Sequence, residues 1–400
     1  MPSIRSLLFL LVSFQWTNQI AQSFLSELRL VTNPTKTSID TQTRLCMAQS
    51  EKDSSSLDKG FNLLETASKF VPQGTIVFAA KESWKFAWKR MMAELAPQDK
   101  TGSYKRPSYG FTGRLGSEEF PDVAGGRYFL FFGNPCPWCH RAKLAINLRN
   151  ISPEEVRVIE LLDDPVKASR GGWIISGSSQ RSLPQTFRKA RDLREIYDIC
   201  LPNYQGRCTA PLLVDAVNKK IVSNESSDIV RMLGEVTFGN TDKERLDLYP
   251  PDLHEEVTKT NEWVYNLLNN GVYRCGFSTT QSAYDAASAD VREGLQLCES
   301  ILSKQQFICG SKFTEADLRL LPTILRFDGV YAPLFKAGGT HLRIRDYPNT
   351  HSWLKRCWNL KGVKESIDLA DANASYYRQL FPLNAGGIIP TSVTAKEIGL

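Results

Sequence analysis

The residues best suited to chemistry are the two cysteines of a Cys136-x-x-Cys139 run. The run follows a short apolar stretch, residues 127–132, and a Gly-Asn-Pro turn, and it opens a segment with helical periodicity. A cysteine where a strand turns into a helix faces unpaired N–H groups and the positive end of the helix dipole, which favour thiolate over thiol. Pro137 suits the first helical position because it lacks an N–H. We therefore predict that Cys136 is a nucleophile.

Other interpretations of the same run have different consequences. Cys136-x-x-Cys139-His140 also fits the attachment pattern of a c-type haem, although no second motif supports that assignment. A zinc site would need a second pair of ligands, which the spacing does not offer. The two cysteines could also pack simply as small apolar residues. We favour a reactive thiol and predict that the chain holds no metal.

Two further elements indicate a peptide thiol as the ligand. Pro211 lies at the start of a predicted strand over residues 210–215, and a proline there is usually cis in thioredoxin-like domains, although a trans bond at a strand start is the alternative. Farther on, Ser226 at a helix N-terminus offers donors to a carboxylate, while Glu225 can pair with an ammonium group. An ordinary helix cap would explain either residue alone. In this order, the elements match glutathione.

The elements that must position these residues form two domains. Predicted strands at residues 127–132, 156–162, 210–215 and 219–223 alternate with helices as in thioredoxin. Beyond residue 239 every periodic segment is helical, and Thr314-Glu-Ala-Asp317 is a capping box, so Asp317 is predicted to be structural. The predicted fold class is an α/β thioredoxin-like N-terminal domain followed by an all-α C-terminal domain.

Length and composition limit the classes of protein that need consideration. A chain of 400 residues exceeds one core, so two domains with extensions are expected. The net charge of +6 is not gathered into a basic stripe, so we expect no nucleic-acid partner. The nine cysteines are odd in number and irregularly spaced, which favours free thiols in a reducing compartment.

The first 50 residues are typical of a cleavable targeting leader. The apolar run at residues 7–14 is too short to span a membrane and indicates a signal peptide. A Ser- and Thr-rich stretch with few acids follows, as in the two-part leaders of algae with secondary plastids. We predict plastid targeting, with the secretory pathway or the cytoplasm as alternatives, and no membrane span in the mature chain. The remaining segments are an extension over 51–120, domains over 121–238 and 239–375, and a tail over 376–400.

Several longer motifs resemble one known family. These include NPCPWCHRAKLA, SRGGW, APLLV, SNESSDIVRML, NNGVYRCGF and TILRFDGVY, and together they cover roughly residues 120–390. They are similar to the Xi-class glutathione transferases, the glutathionyl-hydroquinone reductases. The resemblance implies a glutathione-transferase fold, a homodimer formed through the helical domain, and glutathione as co-substrate. It implies these site residues: Cys136 as the catalytic thiol, Trp173, Ala210, Pro211, Glu225 and Ser226 around glutathione, and Tyr273, Tyr331 and Tyr377 (or its neighbour Tyr376) around an aromatic substrate.

The chemistry implied by this resemblance is removal of glutathione from a glutathionyl-hydroquinone through a mixed disulfide on Cys136. The chain departs from the better-known members, which have alanine where Cys139 stands. Cys139 is therefore a candidate resolving thiol. With this second thiol, the alternative functions are a dithiol, glutaredoxin-like thiol transferase and a dehydroascorbate-type reductase. A non-catalytic binding protein with the glutathione-transferase fold is the remaining alternative.

Overall fold

The computed structural model describes Lys69 and residues 71–240, 244–391 and 394–400. The predicted leader, residues 1–50, lies outside the described residues. The chain divides into two units, Met1–Trp84 and Lys85–Leu400. Of the first unit, the described part is mainly the beginning of helix α1 (Gln73–Leu95). The sheet, the helical domain and the candidate site all belong to the second unit.

A five-stranded mixed sheet forms the centre of the thioredoxin-like half, in the order β3-β2-β1-β4-β5. Strands β1 and β2 are parallel, and the other neighbouring pairs are antiparallel. The strands are β1 (Tyr128–Gly133), β2 (Val156–Asp163), β3 (Trp173–Ile175), β4 (Leu212–Asp215) and β5 (Lys220–Ser223). The helices of this half are α2 (Pro137–Leu148), α3 (Gly177–Arg181), α4 (Leu193–Cys200) and α5 (Ser226–Glu235), with a 3₁₀ turn at Gln185–Phe187. The predicted thioredoxin-like order is confirmed.

Strand β1 is buried along its whole length, which explains its unbroken apolar sequence. Its side chains alternate between two cores because successive residues of a strand point to opposite faces. Leu130 packs in the larger core, which continues into the helical half, whereas Phe129 and Phe131 pack in the smaller core on the other face. Burial on both faces fixes the strand, and its carboxyl end leads directly to Cys136.

Strand β3 was missed by the sequence analysis. It has three residues, Trp173–Ile175, too few to show a period-two pattern, and it is defined by antiparallel pairing of Ile175 with Leu161 of β2. The interaction with the edge of an existing sheet, rather than local preference, makes this segment a strand.

The second half is helical, as predicted. Two of its helices continue into π-helical turns. The helices are α6 (His254–Trp263, continuing through Val264–Asn269), α7 (Gly271–Phe277), α8 (Gln281–Leu302), α9 (Glu315–Arg326, continuing through Phe327–Tyr331), α10 (Pro348–Trp358) and α11 (Leu369–Gln379), with 3₁₀ turns at Pro251–Leu253, Ile344–Asp346 and Lys364–Ser366. Helix α11 runs through residue 375, where the sequence analysis ended the helical domain, so the first residues of the predicted tail are helical.

Asp317 has the structural role that its capping box predicted. Its Oδ2 accepts hydrogen bonds from the backbone N–H and the hydroxyl of Thr314, at 3.0 and 3.1 Å. Its Oδ1 accepts from Trp353 Nε1 at 2.8 Å and from the Ile308 N–H at 2.9 Å. The buried carboxylate therefore joins the start of α9 to helix α10, and this explains why an acid is tolerated in the core.

In the extension before the sheet, some of the large apolar side chains are packed and others are exposed. In α1, Met92 is fully buried, and Trp88 Nε1 donates to the Pro382 carbonyl at 2.9 Å. Trp84 and Phe86 are 54% and 76% exposed. In the part of the chain that the structure describes, neither this helix nor any other combines the length and apolarity needed to cross a membrane.

Candidate active site

Cys136 occupies the N-cap of helix α2, as the sequence predicted. Its backbone is extended, and Pro137 begins the helix. The sulfur accepts a hydrogen bond from the Cys139 N–H at 3.3 Å, and it lies 3.7 Å from the carbonyl oxygen of Ala210. The thiol is partly accessible, whereas Cys139 is completely buried. The geometry therefore presents one sulfur to a substrate and keeps the other behind it.

The electrostatics of the pair separate the two sulfurs further. Burial raises the pKa of Cys136, but hydrogen bonds from the Cys139 side chain and N–H, with the positive charge of Arg326, outweigh it and lower that pKa to about 7. Burial raises the pKa of Cys139 well above its usual value, and the neighbouring Cys136 raises it further. Cys136 is thus the thiolate of the pair, and Cys139 stays a protonated donor.

The residues predicted to hold the cysteinyl part of glutathione lie beside this sulfur. The Ala210–Pro211 peptide bond is cis, which confirms that expectation. Strand β4 begins only after it, at Leu212. Trp173, on β3, packs directly against Gly133, where any side chain would collide with its ring. These contacts place Trp173 at the end of β1, next to the turn that carries Cys136.

At the start of α5, the predicted γ-glutamyl residues also cap their own helix. The Glu225 side chain, rather than that of Ser226, accepts from the Ser227 N–H at 3.1 Å, and Ser226 Oγ donates to the same carboxylate oxygen at 3.2 Å. A cavity of about 490 Å³ opens beside them. Its lining includes Glu225, Ser227, Arg141 and Arg319 but not Cys136, so it adjoins the carboxylate end of the site. Its mixed charges suit a zwitterionic ligand.

Three tyrosine hydroxyls meet on the helical side of the site. The Tyr376 hydroxyl lies 2.7 Å from that of Tyr273 and 3.1 Å from that of Tyr331. Burial raises the pKa of all three phenols, and the Cys136 sulfur raises those of Tyr273 and Tyr331 further. The hydroxyls therefore stay protonated and can donate hydrogen bonds to an oxygen that gains negative charge.

Tyr377, which was predicted with Tyr376 as its alternative, does not join this cluster of hydroxyls. Its hydroxyl donates to the Gly329 carbonyl at 3.0 Å instead. Successive residues of an α-helix point about 100° apart, so only one of two neighbouring tyrosines can face a given side. Of the two predicted alternatives, Tyr376 is the one whose hydroxyl lies with those of Tyr273 and Tyr331.

Helix α11, which carries Tyr376, is tied at its two ends to the ends of strands β1 and β2. Asn134 Nδ2, at the end of β1, donates to the Asp368 carbonyl and to Asp371 Oδ2, both at 3.0 Å. Gln379 Nε2 donates to the carbonyl of Asp163, at the end of β2, at 3.0 Å. The helix is thus anchored at both ends, and Tyr376 lies between the two anchors.

Two arginines of the site were not predicted from the sequence. The fully buried Arg326 ends helix α9 and donates to the carbonyls just before Cys136. Arg106, from the extension, places its guanidinium carbon 3.6 Å from the Trp138 ring centroid and donates to the Tyr109 hydroxyl at 2.8 Å. Arg326 stands in the TILRFDGVY motif, which also contains Tyr331. For Arg106 no sequence signal was present, because contacts between distant segments leave no local pattern.

Comparisons with known proteins agree with this fold and site. The family models for the glutathione S-transferase N-terminal and C-terminal domains match residues 135–236 and 281–356. The fold and the cysteine at the N-cap therefore define a glutathione transferase of the cysteine type. Among solved structures, the Xi glutathione S-transferase of Phanerochaete chrysosporium has a TM-score of 0.66 at 32% identity, covering 74% of this chain and 95% of that one.

Curated relatives define the family more narrowly. Glutathionyl-hydroquinone reductase YqjG of Escherichia coli is 34% identical over 72% of this chain and 88% of its own length. Glutathionyl-hydroquinone reductase PcpF of Sphingobium chlorophenolicum is 36% identical over 69% of this chain and 85% of its own length. The glutathione-bound structure of YqjG matches with a TM-score of 0.64 at 33% identity, over 71% of this chain and 93% of that one. The chain belongs to the glutathionyl-hydroquinone reductase family, the Xi class of glutathione transferases.

Proposed function

We propose that this protein is a glutathione-dependent reductase that removes glutathione from S-glutathionyl-hydroquinones and related aromatics. One observation carries the proposal, namely that a thiol with a lowered pKa and three protonated tyrosine hydroxyls belong to the same site. A conjugating transferase would instead need a hydroxyl to activate the thiol of glutathione. Two relatives above 30% identity are glutathionyl-hydroquinone reductases, and one of them has been solved with glutathione bound.

In the first half-reaction, the Cys136 thiolate attacks the glutathionyl sulfur of the substrate. A sulfur–sulfur bond forms, the carbon–sulfur bond breaks, and its electron pair returns to the ring, which takes up a proton and leaves as the hydroquinone. The step proceeds from the keto tautomer of the substrate, in which the carbon bonded to sulfur is tetrahedral and already carries the added proton. The electron pair of the breaking bond delocalises onto a ring oxygen, which gains negative charge and is then protonated by a proton from the site. Hydroxyls such as that of Tyr376 can stabilise this charge by donating hydrogen bonds, while the aromatic side chains around them suit the ring.

In the second half-reaction, the thiolate of another glutathione attacks the mixed disulfide on Cys136. Oxidised glutathione leaves and the Cys136 thiolate returns, so two glutathionyl sulfurs are oxidised for each hydroquinone released. A thiol with a low pKa is a good leaving group in disulfide exchange, and the lowered pKa of Cys136 therefore favours this step too. Glutathione is the only reductant that the cycle requires.

Cys139 supports a second candidate function, a dithiol thiol transferase. Its N–H and side chain both interact with the Cys136 sulfur, so an internal disulfide is within reach. Complete burial and a raised pKa oppose a resolving role, because the thiolate is the attacking form. We therefore place turnover on Cys136 alone.

Turnover of glutathionyl-menadione with excess glutathione tests the proposal. We expect Cys136→Ser to lose activity at least ~1000-fold, because the nucleophile is gone. Cys139→Ser is the matched control: it keeps a side-chain donor and the same N–H, so we expect activity close to wild type.

The outcomes separate the three functions. Comparable losses in both variants would favour the dithiol cycle. If wild type shows no turnover but reduces protein–glutathione mixed disulfides, the hydroquinone substrate is wrong. Inactivity toward both substrates would favour a binding protein with the glutathione-transferase fold.

Assembly and location are further parts of the proposal. We infer a homodimer formed through the helical domain, as the resemblance to the Xi class implies, and import into a plastid by the leader over residues 1–50. The composition of the leader supports the second inference. Light scattering would measure the mass in solution, and a fusion of the leader to a fluorescent protein would report its destination.

A further inference from the structure

Arg326 is a buried cation without an acidic partner among the described residues. Its side chain is fully buried at the end of α9. The guanidinium donates to four acceptors, none of which carries a negative charge. They are the carbonyl oxygens of Pro135 (3.2 Å), Asn134 (3.1 Å) and Pro322 (3.1 Å) and the Nδ1 atom of His140 (3.2 Å). Burial of an unpaired charge is costly, so an anion is expected near this position.

His140 must be neutral, and one tautomer follows from its partners. A guanidinium only donates, so His140 Nδ1 accepts from Arg326, and the ring proton is on Nε2. That atom donates to Ser366 Oγ at 2.7 Å, and Ser366 donates in turn to the Val363 carbonyl. Burial and the charge of Arg326 lower the pKa of His140 well below its usual value. The imidazole therefore orients the guanidinium without adding a second charge.

The ionised Cys136 thiol is an anion that interacts with the charge of Arg326. Its carbonyl acceptors on Asn134 and Pro135 are the two residues immediately before Cys136, and the guanidinium acts on the sulfur as a positive charge. Among the described residues, four other titratable groups that interact with the sulfur are neutral when protonated. They are Cys139 on α2, Tyr109 in the extension, Tyr273 on α7 and Tyr331 after α9.

We propose that Arg326 is a positioning residue for the thiol chemistry: its buried charge keeps Cys136 ionised, and it fixes the backbone turn that carries the sulfur. His140 accepts a hydrogen bond from the guanidinium, and Ser366 in turn fixes the orientation of the His140 ring. The use of this thiolate in turnover rests on the proposed function. Its ionisation by Arg326 does not depend on that function. The proposal extends the site from the thioredoxin-like half into the helical half, because Arg326 belongs to α9.

The test is the rate of alkylation of Cys136 by iodoacetamide as a function of pH, read on the Cys136 peptide by mass spectrometry in the full chain. Arg326→Gln removes the charge and keeps an amide donor. We expect its titration midpoint to rise, with alkylation about tenfold slower than wild type at acidic pH. Arg326→Lys keeps the charge, so its midpoint should stay much closer to that of wild type.

Arg149 supplies a matched control. It is also a buried arginine, and it bonds to backbone carbonyls, those of Leu233, Val236 and Leu246, but it lies at the opposite end of α2 from Cys136. Arg149→Gln should lower stability and leave the titration midpoint unchanged.

A folded Arg326→Gln variant with the wild-type midpoint would overturn the proposal, as would an equal shift in Arg149→Gln. If Arg326→Gln does not fold, Arg326→Lys decides, since a tenfold slowing there would show that charge is not the cause. Alkylation requires no quinone, so these outcomes stand even if glutathionyl-menadione is not a substrate.

Discussion

The sulfur end of the sheet and the tyrosine cluster of the helical half show how similar burial produces opposite charge states. Burial opposes ionisation of both kinds of group. At Cys136 this effect is overcome by donors from Cys139 and by the charge of Arg326, so the thiolate is favoured. In the cluster, burial dominates and raises the pKa of all three phenols, although the charge of Arg326 and the hydrogen bond with Tyr273 act to lower that of Tyr376. The balance between burial and the neighbouring charges and hydrogen-bond donors, rather than burial alone, therefore decides which group is ionised.

This difference matches the two roles that the proposed reaction needs. The nucleophile must be ionised before the substrate arrives, whereas the groups that face the leaving hydroquinone must still carry their protons. The thiolate also raises the pKa of Tyr273 and Tyr331, so the two regions reinforce each other's charge states. Substitutions can be made in either region alone, and we expect them to have different effects on kcat and on the ionisation of Cys136.

Among variants that keep Cys136, the largest effect should come from removing the central hydroxyl of the tyrosine cluster. We expect Tyr376→Phe to lower kcat for glutathionyl-menadione by about 100-fold, because a positioned donor is lost while the nucleophile is intact. Alkylation of Cys136 should keep its pH midpoint. Tyr377→Phe is the control, since that hydroxyl bonds to the Gly329 carbonyl, and its kcat should stay near wild type. Equal losses in both variants would contradict the assignment of Tyr376.

A smaller effect should appear in the pH dependence of stability. The folded pKa of Cys136, about 7, lies below the value expected in the unfolded chain. Its stabilising contribution is therefore complete above the unfolded pKa, and it is lost as pH falls through about 7. We expect wild type to gain about 2 kcal/mol over Cys136→Ser between about pH 6 and pH 9. Urea unfolding across that range measures it, and a difference independent of pH would contradict a thiolate in the native state.

The smallest effect should come from the cation over Trp138. Arg106→Ala should lower the free energy of unfolding by about 1 kcal/mol, because a cation–π contact is lost, while Arg106→Lys should retain part of it. The titration midpoint of Cys136 should not change in either variant, since Arg326 supplies the charge. A midpoint that follows Arg106 instead would show that the extension shares in ionising the thiol. Urea unfolding and alkylation measure the two quantities.

Much of the site could be predicted because its signals are local. The position of Cys136 follows from a strand, a turn and a proline-initiated helix that are adjacent in the chain. Asp317 was recognised from a four-residue capping pattern. Tyr376 could not be selected over Tyr377, because both lie in one helix and the choice depends on how α11 is anchored to Asn134 and Asp163.

The amino-acid sequence by itself determined the order of elements, the place of Cys136 at a strand-to-helix turn and the capping box of Asp317, because each depends on neighbours a few positions away. The tertiary structure decided the charge state of the site. Arg326 comes to Cys136 from 190 positions along the chain, and hydrogen bonds and burial at that distance leave no periodic trace. Electrostatic interactions depend on separation in space, so only the folded chain brings together the thiolate and the cation that stabilises it.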